Sequence, residues 1–318
     1  MKNNIATRLS IGGVLAAFAF AATTASAAER SFAERKALFR SADRNYVFVA
    51  LHRASWRDAP ENSIPAIEAA IAMGADMVEI DVKRTKDGVY VLSHDQTVDR
   101  CTDATGKISE MTFEELGRLN LKSGQGGRWG RPTDVKYPTL EEALRTTKGR
   151  IMVNLDHCWN FQPDMIEMCR KVGVQDEVIL KGGGGVKRVK ERDFGAEPWK
   201  AVESGEFVYM PIVAIDENDA TGLGKLHEWS EIPCVKVYEI VAKKDLPDEG
   251  NPAKLASKPR LWINTMWGSL CAGHDDNASV KGDPAKDGWG WALDKGATVI
   301  QTDNPRPLLK WLESVGRR

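Results

Sequence analysis

Two kinds of apolar pattern alternate along the chain. Short runs rich in β-branched and aromatic residues recur at Tyr46–Leu51, Met77–Val82, Val89–Ser93, Ile151–Leu155, Glu177–Lys181, Phe207–Val213, Cys234–Ile240, Leu261–Thr265 and Thr298–Gln301. Most are separated by segments with helical spacing, at Ser63–Met73, Leu140–Thr147, Pro163–Val172 and Asn218–Trp229, and Pro305–Val315 follows the last run. This alternation predicts a parallel sheet with crossover helices. One pair breaks the rule. Met77–Val82 and Val89–Ser93 are joined by Thr85-Lys86-Asp87-Gly88, far too short for a parallel crossover, and Asp-Gly is a hairpin signal. Without the hairpin's return arm eight strands remain, the count of a closed (β/α)8 barrel. An open doubly wound sheet is the alternative, but no Gly-x-Gly-x-x-Gly follows the first run. Gly182–Gly185 lacks the Gly-Lys-Ser/Thr ending of a P-loop and reads as a strand-to-helix loop. Cys101–Tyr137 reads as an insertion over one end of the barrel, and Lys243–Pro259 as a surface loop.

Composition narrows the class. Of 318 residues, 42% are hydrophobic and 28% charged, which is ordinary for a globular domain and excludes general disorder. The longest apolar stretch lies at the extreme N-terminus. Lys2 and Arg8 precede the apolar core Ile11–Ala22, and Ala25-Ser26-Ala27 matches a small-x-small cleavage site. Residues 1–27 are therefore expected to be an export signal and 28–318 a single barrel domain, acting outside the cytoplasm with the periplasm as the expected compartment. The core is short for a membrane span, so no stable membrane insertion is expected after cleavage. With 44 basic and 45 acidic residues the chain has no basic footprint for nucleic acid. The five cysteines are an odd number and none stands in CxxC spacing, so no zinc or redox motif is suggested.

Charged residues gather at the ends of the predicted strands. His52-Arg53 closes the first and Glu79-Ile80-Asp81 the second, and alternation puts both carboxylates on one face. Two inward acids are costly unless paired, either by Arg or Lys or by a hard divalent cation with oxygen ligands. If Asp87-Gly88 centres the turn, Val82 faces Ser93 and Asp81 faces His94, which brings a proton-shuttling imidazole beside the acids. The run Asn154-Leu155-Asp156-His157-Cys158 puts Asn154, Asp156 and Cys158 on one face, with Asp156 as a third oxygen ligand and His157 on the other face, structural or at the rim. Lys181 ends the next run, either at the mouth where barrel enzymes keep their sites or as a solvated loop lysine. Asn62 or Ser63 can cap the following helix.

His52-Arg53, Pro60-Glu61-Asn62-Ser63, Gly74-Ala75-Asp76, Glu79-Ile80-Asp81-Val82, Thr85-Lys86-Asp87-Gly88 and His94-Asp95 together resemble the glycerophosphodiester phosphodiesterase family in order and spacing. Arg100-Cys101-Thr102, Pro138-Thr139-Leu140-Glu141-Glu142 and Thr302-Asp303-Asn304-Pro305 continue the resemblance. It implies a TIM barrel with a short insertion after the His-Asp hairpin. It also implies one divalent cation, Ca²⁺ or Mg²⁺, on Glu79, Asp81 and Asp156, with His52 and His94 as the acid-base pair and a small-molecule phosphodiester as the partner. Arg53 would hold the phosphate, with Asn62 and Trp262 also expected in the substrate pocket. The family's Glu-x-Lys reads Asp156-His157-Cys158 here, so the lysine is missing, and Lys181 is the residue inferred to replace its charge. Trp262-Ile263-Asn264-Thr265 only partly matches the family's Trp-Thr-Val-Asn. The implied reaction releases an alcohol and glycerol 3-phosphate. The rivals are a phospholipase-like enzyme with another headgroup that forms a cyclic phosphate, and a non-catalytic phosphodiester-binding protein.

Overall fold

The computed structural model of this chain describes residues 30–215 and 220–318, so the expected leader lies outside the described residues. Among the described residues nine strands form: β1 Phe48–Leu51, β2 Met77–Arg84, β3 Tyr90–Leu92, β4 Met152–Asp156, β5 Val178–Gly183, β6 Val208–Ile215, β7 Val237–Ala242, β8 Arg260–Asn264 and β9 Ala297–Thr302. All but β3 pair in parallel around a closed ring, since β1 bonds both β2 and β9. The result is the eight-stranded parallel barrel of a TIM fold, with β3 folded back antiparallel on β2.

The hairpin register differs from expectation by one residue. Val82 faces Leu92, and the cross-strand neighbour of Asp81 is Ser93, whose amide donates to the Asp81 carbonyl at 3.0 Å. The cause is the turn. The Thr85 amide donates to the Val89 carbonyl at 2.9 Å, so the loop is the three residues Lys86-Asp87-Gly88 rather than a two-residue Asp-Gly turn. Gly88 takes φ +86°, the left-handed residue that a three-residue hairpin requires.

The helices begin where side chains can satisfy free amides. Thr139 and Glu142 form a reciprocal capping box ahead of Leu140–Thr147, and Ser63 caps Ile64–Ala72. The same Ser-x-x-Glu signal at Ser31 and Glu34 starts a helix over Phe32–Arg40 that the strand count had not anticipated. This helix closes the N-terminal end of the barrel. Phe39 joins Phe48, Met77, Met152, Ile179, Met210 and Trp262 in an apolar plug inside the ring. A larger apolar layer lies between the strands and the surrounding helices. The insertion builds a small core of its own from Val98, Cys101, Ile108, Leu116, Leu121 and Tyr137, packed on Val91 of β3.

Asp76, just before β2, ties the chain ends to this base. It is fully buried, accepts from the Tyr46 hydroxyl and the Val49 amide at 2.9 Å each, and pairs with Arg318 and Arg35. Removing one partner of a buried ion pair strands the others without compensation. Asp76→Ala is expected to cost about 3–5 kcal/mol in denaturant unfolding. A loss under about 1 kcal/mol would show that Asp76 bears little of the load.

Candidate active site

The apolar plug fills only the lower barrel. Above it the inward positions are polar: Glu79 and Asp81 on β2, Asn154 and Asp156 on β4, Lys181 on β5, Glu239 on β7 and Asn264 on β8. Register sets their neighbours, with Glu79 opposite Asn154 and Asp81 opposite Asp156. Glu79, Asp81 and Asp156 each bring a carboxylate oxygen within 4.8 Å of the others. Burial, reinforced by the Asp81 and Asp156 charges, holds the Glu79 carboxyl well above the usual carboxylate range. Asp156 goes the other way. Burial would raise it, but the Lys181 ammonium at 2.7 Å outweighs that and lowers it.

Lys181 departs from expectation. It does not end its strand or face solvent; it is 1% exposed inside the barrel, with its ammonium between Asp156 at 2.7 Å and Glu239 at 2.9 Å. It neutralises carboxylates of the site rather than waiting for a phosphate. Trp262 is also displaced from its expected role. It is fully buried in the plug and donates from Nε1 to Asn264 at 2.7 Å, and Asn264 donates to Glu239 at 2.8 Å. Trp262 thus supports the lysine from below and lines no open pocket. Asn62 neither caps a helix nor reaches toward solvent. Its amide donates to Asp81 Oδ2 at 2.8 Å and accepts from the Asp81 backbone at 2.9 Å, so both ends are spent on bracing that acid.

Arg53 is 7% exposed, donates to Glu61 at 3.0 Å and stands with Nε 3.8 Å from Asp81. Among the described residues that buried Nε has no hydrogen-bond partner. The Arg53 backbone amide donates to Glu79 at 2.9 Å. Among the described residues six non-glycines have positive φ, and four of them, Arg53, Ala54, Asn62 and His157, stand at this mouth. Strain of this kind persists only where surrounding contacts fix it, and it gathers at functional sites.

Each predicted histidine has its own carboxylate. His52 Nδ1 lies 2.9 Å from Asp303 Oδ1, which also accepts from Trp56 Nε1 at 2.6 Å. His94 Nδ1 lies 2.6 Å from Asp95 Oδ1. Asp95 is in turn held by Arg100, Arg100 by Glu61, and Glu61 by Arg53. A carboxylate on one ring nitrogen fixes the tautomer and leaves the other nitrogen for chemistry. Asp303 and Glu61 were not among the expected site residues. Barrel closure offered a signal for Asp303, because β9 must lie beside β1, and pairing Leu51 with Thr302 puts the next residue, Asp303, beside His52.

His157 overturns the alternation read from sequence. Its φ of +56° turns the chain out of the strand pattern. The ring swings over the site, 4.8 Å from the His94 ring and with Nε2 3.8 Å from Asp81 Oδ1. Cys158, expected inward, instead buries its thiol among the outer apolar layer.

Comparison with known proteins matches this geometry to one group. Residues 52–199 match the glycerophosphoryl diester phosphodiesterase family, and residues 209–312 match a domain of unknown function. Glycerophosphodiester phosphodiesterase 1 of Homo sapiens is 45% identical over 101 residues, 32% of this chain and 30% of its own length. The glycerophosphodiester phosphodiesterase of Caldanaerobacter subterraneus is 36% identical over 109 residues, 34% of this chain and 44% of its own. The chain thus spans about a third to under half the length of these curated relatives. Among solved structures, a glycerophosphoryl diester phosphodiesterase from Parabacteroides distasonis superposes with a TM-score of 0.66 at 21% identity, covering 90% of this chain and 93% of that one. An Oleispira antarctica phosphodiesterase in complex with its product sn-glycerol-3-phosphate gives a TM-score of 0.57 at 19% identity, covering 85% and 97%. At these identities both show a shared barrel fold.

The Glu61–Arg100–Asp95 chain carries a pH signature. Burial would raise Glu61 and Asp95, yet the arginines beside them, with His94 beside Asp95, hold both below the usual range. Between folded and unfolded values the unfolded state binds more protons, so this contribution is complete above about pH 5 and fades as pH falls through the acid range. Arg100→Gln is expected to destabilise the protein by about 2–4 kcal/mol at neutral pH and by much less near pH 3. An Arg100→Gln penalty that stays constant from pH 7 to pH 3 would contradict the linkage.

Proposed function

We propose, from the match of residues 52–199 to the glycerophosphoryl diester phosphodiesterase family, that this barrel is a metal-dependent phosphodiesterase. It hydrolyses a glycerophosphodiester to an alcohol and glycerol 3-phosphate after export from the cytoplasm. The observation that carries the reading is the pairing of two imidazoles, each fixed at Nδ1 by its own carboxylate, with a trio of inward acids. Pure binding has no use for two positioned proton carriers.

The residues present fit a cation. Glu79, Asp81 and Asp156 are hard oxygen donors crowded within 4.8 Å, and burial together with the other two acids raises the Glu79 carboxyl well above the usual carboxylate range. Asn154, in register with Glu79, is fully buried with neither end of its amide hydrogen-bonded, as a polar group beside an absent ion or its water would be. A Ca²⁺ or Mg²⁺ held there supplies positive charge to the non-bridging phosphate oxygens. The chain does the rest. Arg53 presents its unpartnered Nε beside Asp81 to the diester anion. One of His52 and His94 takes the proton from the attacking oxygen, and the other gives a proton to the departing alkoxide. Asp303 and Asp95 hold the two rings so that neither has to reorient as charge develops. Trp267, edge-on to His52 at 5.3 Å, shields that ring on its solvent side.

Two outcomes test the reading on the purified full chain. Excess chelator is expected to abolish hydrolysis of glycerophosphodiesters, and Asp81→Asn to do the same in excess Ca²⁺ or Mg²⁺. Undiminished turnover in chelator rules the cation out. His52→Ala and His94→Ala should each lower kcat by roughly 10²–10⁴, whereas His227→Ala, on the exposed face of the helix Ala220–Ser230, should leave it unchanged. Equal losses at all three would remove the specific assignment.

A further inference from the structure

We propose that the cleft beside the hairpin turn is a second anion subsite, so that the favoured glycerophosphodiesters are those whose alcohol carries its own phosphate or carboxylate. This inference rests on the phosphodiesterase reading and names its substrate class.

The cleft has a volume of about 700 Å³ and is lined by Lys83, Arg84, Lys86, Gln96, His157 and Asn160 among others. Its single acidic residue is Asp87, whose carboxylate is already occupied by the Thr85 hydroxyl at 2.6 Å and the Phe113 amide at 3.1 Å. Three cations and one spoken-for acid make a positive cavity, next to a site whose own buried side chains are mainly carboxylates.

Lys83 is the decisive residue. It is only 5% exposed, yet among the described residues no carboxylate lies within ion-pair distance of its ammonium. Its hydrogen-bond partners are the Val82 carbonyl at 3.5 Å and His157 Nδ1 at 3.0 Å. Lys181, equally enclosed, sits between two carboxylates. Asp81, Asp156 and Asp95 act on this ammonium only from beyond ion-pair distance, so its direct partners are one carbonyl and one imidazole, with no anion in contact. A ligand anion entering the cleft supplies that contact.

His157 joins the cleft to the reaction centre. An ammonium has donors and no lone pair, so Nδ1 must accept from Lys83 and Nε2 must carry the ring proton. That Nε2 stands 3.8 Å from Asp81 while the same ring lines the cleft. A diester whose phosphate lies over the acids can therefore extend its alcohol past His157 toward Arg84 and Lys86. Both of those are exposed, and among the described residues neither makes an ion pair; Arg84 lies over the Tyr90 ring at 5.7 Å. Arg84 and Lys86 would attract a negative group on the alcohol and offer nothing comparable to a neutral one, so the cleft selects by charge as well as by contact.

The test compares kcat/KM of the full chain on four diesters: glycerophosphocholine, glycerophosphoglycerol, glycerophosphoglycerol carrying a terminal phosphate, and the corresponding diester of glyceric acid. The expected result at low salt is a preference of roughly five- to tenfold for the anionic diesters over glycerophosphoglycerol, shrinking as ionic strength rises. The double variant Arg84→Gln/Lys86→Gln should bring that ratio toward one, chiefly through KM, whereas Arg145→Gln, on an exposed helix away from the cleft, should leave the ratio unchanged. A larger effect on one anionic diester than on the other identifies which group the cleft takes. Equal rates on neutral and anionic diesters in the wild type, or a preference that survives the double variant, overturns the subsite and leaves the phosphodiesterase reading standing. No turnover of any diester overturns both.

Discussion

Burying carboxylates is the constraint on which the rest of the site depends. Glu61, Glu79, Asp81 and Glu239 are each less than 5% exposed, and Asp156 above them is half-buried. Unpaired acids at that depth would neutralise themselves or unfold the barrel. The chain answers with cations from nearby strands and loops, Lys181 and Arg53 buried and Arg100 half-buried. Lys181 serves Asp156 and Glu239, Arg53 serves Glu61 and approaches Asp81, and Arg100 serves Glu61 and Asp95. Each cation is fixed by two acids, so the charges cross-brace the upper barrel instead of forming isolated pairs. Networks of this kind are a weak source of net stability but hold their members in one geometry.

The division of the barrel into an apolar base and a polar top follows from the same constraint. Phe39 and Phe48 close the base around Trp262, while the polar layers begin at Glu79 and Asn154, one inward position further along their strands. The base keeps water out from below. The cations can then act through a low-dielectric medium, where their pull on Asp156 is strong enough to reverse the effect of burial. Asp303, at the seam where β9 meets β1, extends this order to the rim by fixing His52 and Trp56 together.

The strands and their closure were legible in sequence because parallel barrel strands are nearly continuous apolar runs separated by helical patterns, and because Thr85–Gly88 is too short for anything but a hairpin. The acids of the site were legible because Glu79 and Asp81 interrupt such a run at a spacing of two. What sequence could not give was the conformation of single residues. His157 was assigned outward on the assumption that the strand continues, and one left-handed residue moved it over the acids. Lys181 was placed at a strand end because Gly182 and Gly183 resemble a loop, yet both belong to β5, and that buries the lysine. Asn62 resembled a cap because Ser63, the actual cap, is its neighbour. In each case the local signal was real and a tertiary hydrogen bond decided which residue answered it.

The carboxylate trio is unequal, and that inequality couples proton and cation. Asp156 is kept charged by Lys181, while Glu79 has only a backbone amide and a lysine beyond hydrogen-bond range against the combined field of Asp81 and Asp156. Burial and this shared negative charge together raise the Glu79 carboxyl well above the usual carboxylate range. On the proposed reading, a divalent cation held by the trio would favour the ionised form of Glu79, since a protonated carboxyl is a poor ligand. Its binding would therefore tighten as pH rises. The converse holds for the metal-free barrel. Glu79 binds its proton more tightly folded than unfolded, so raising the pH above the ordinary carboxylate range erodes stability through this residue, and the cation restores what the lost proton had provided.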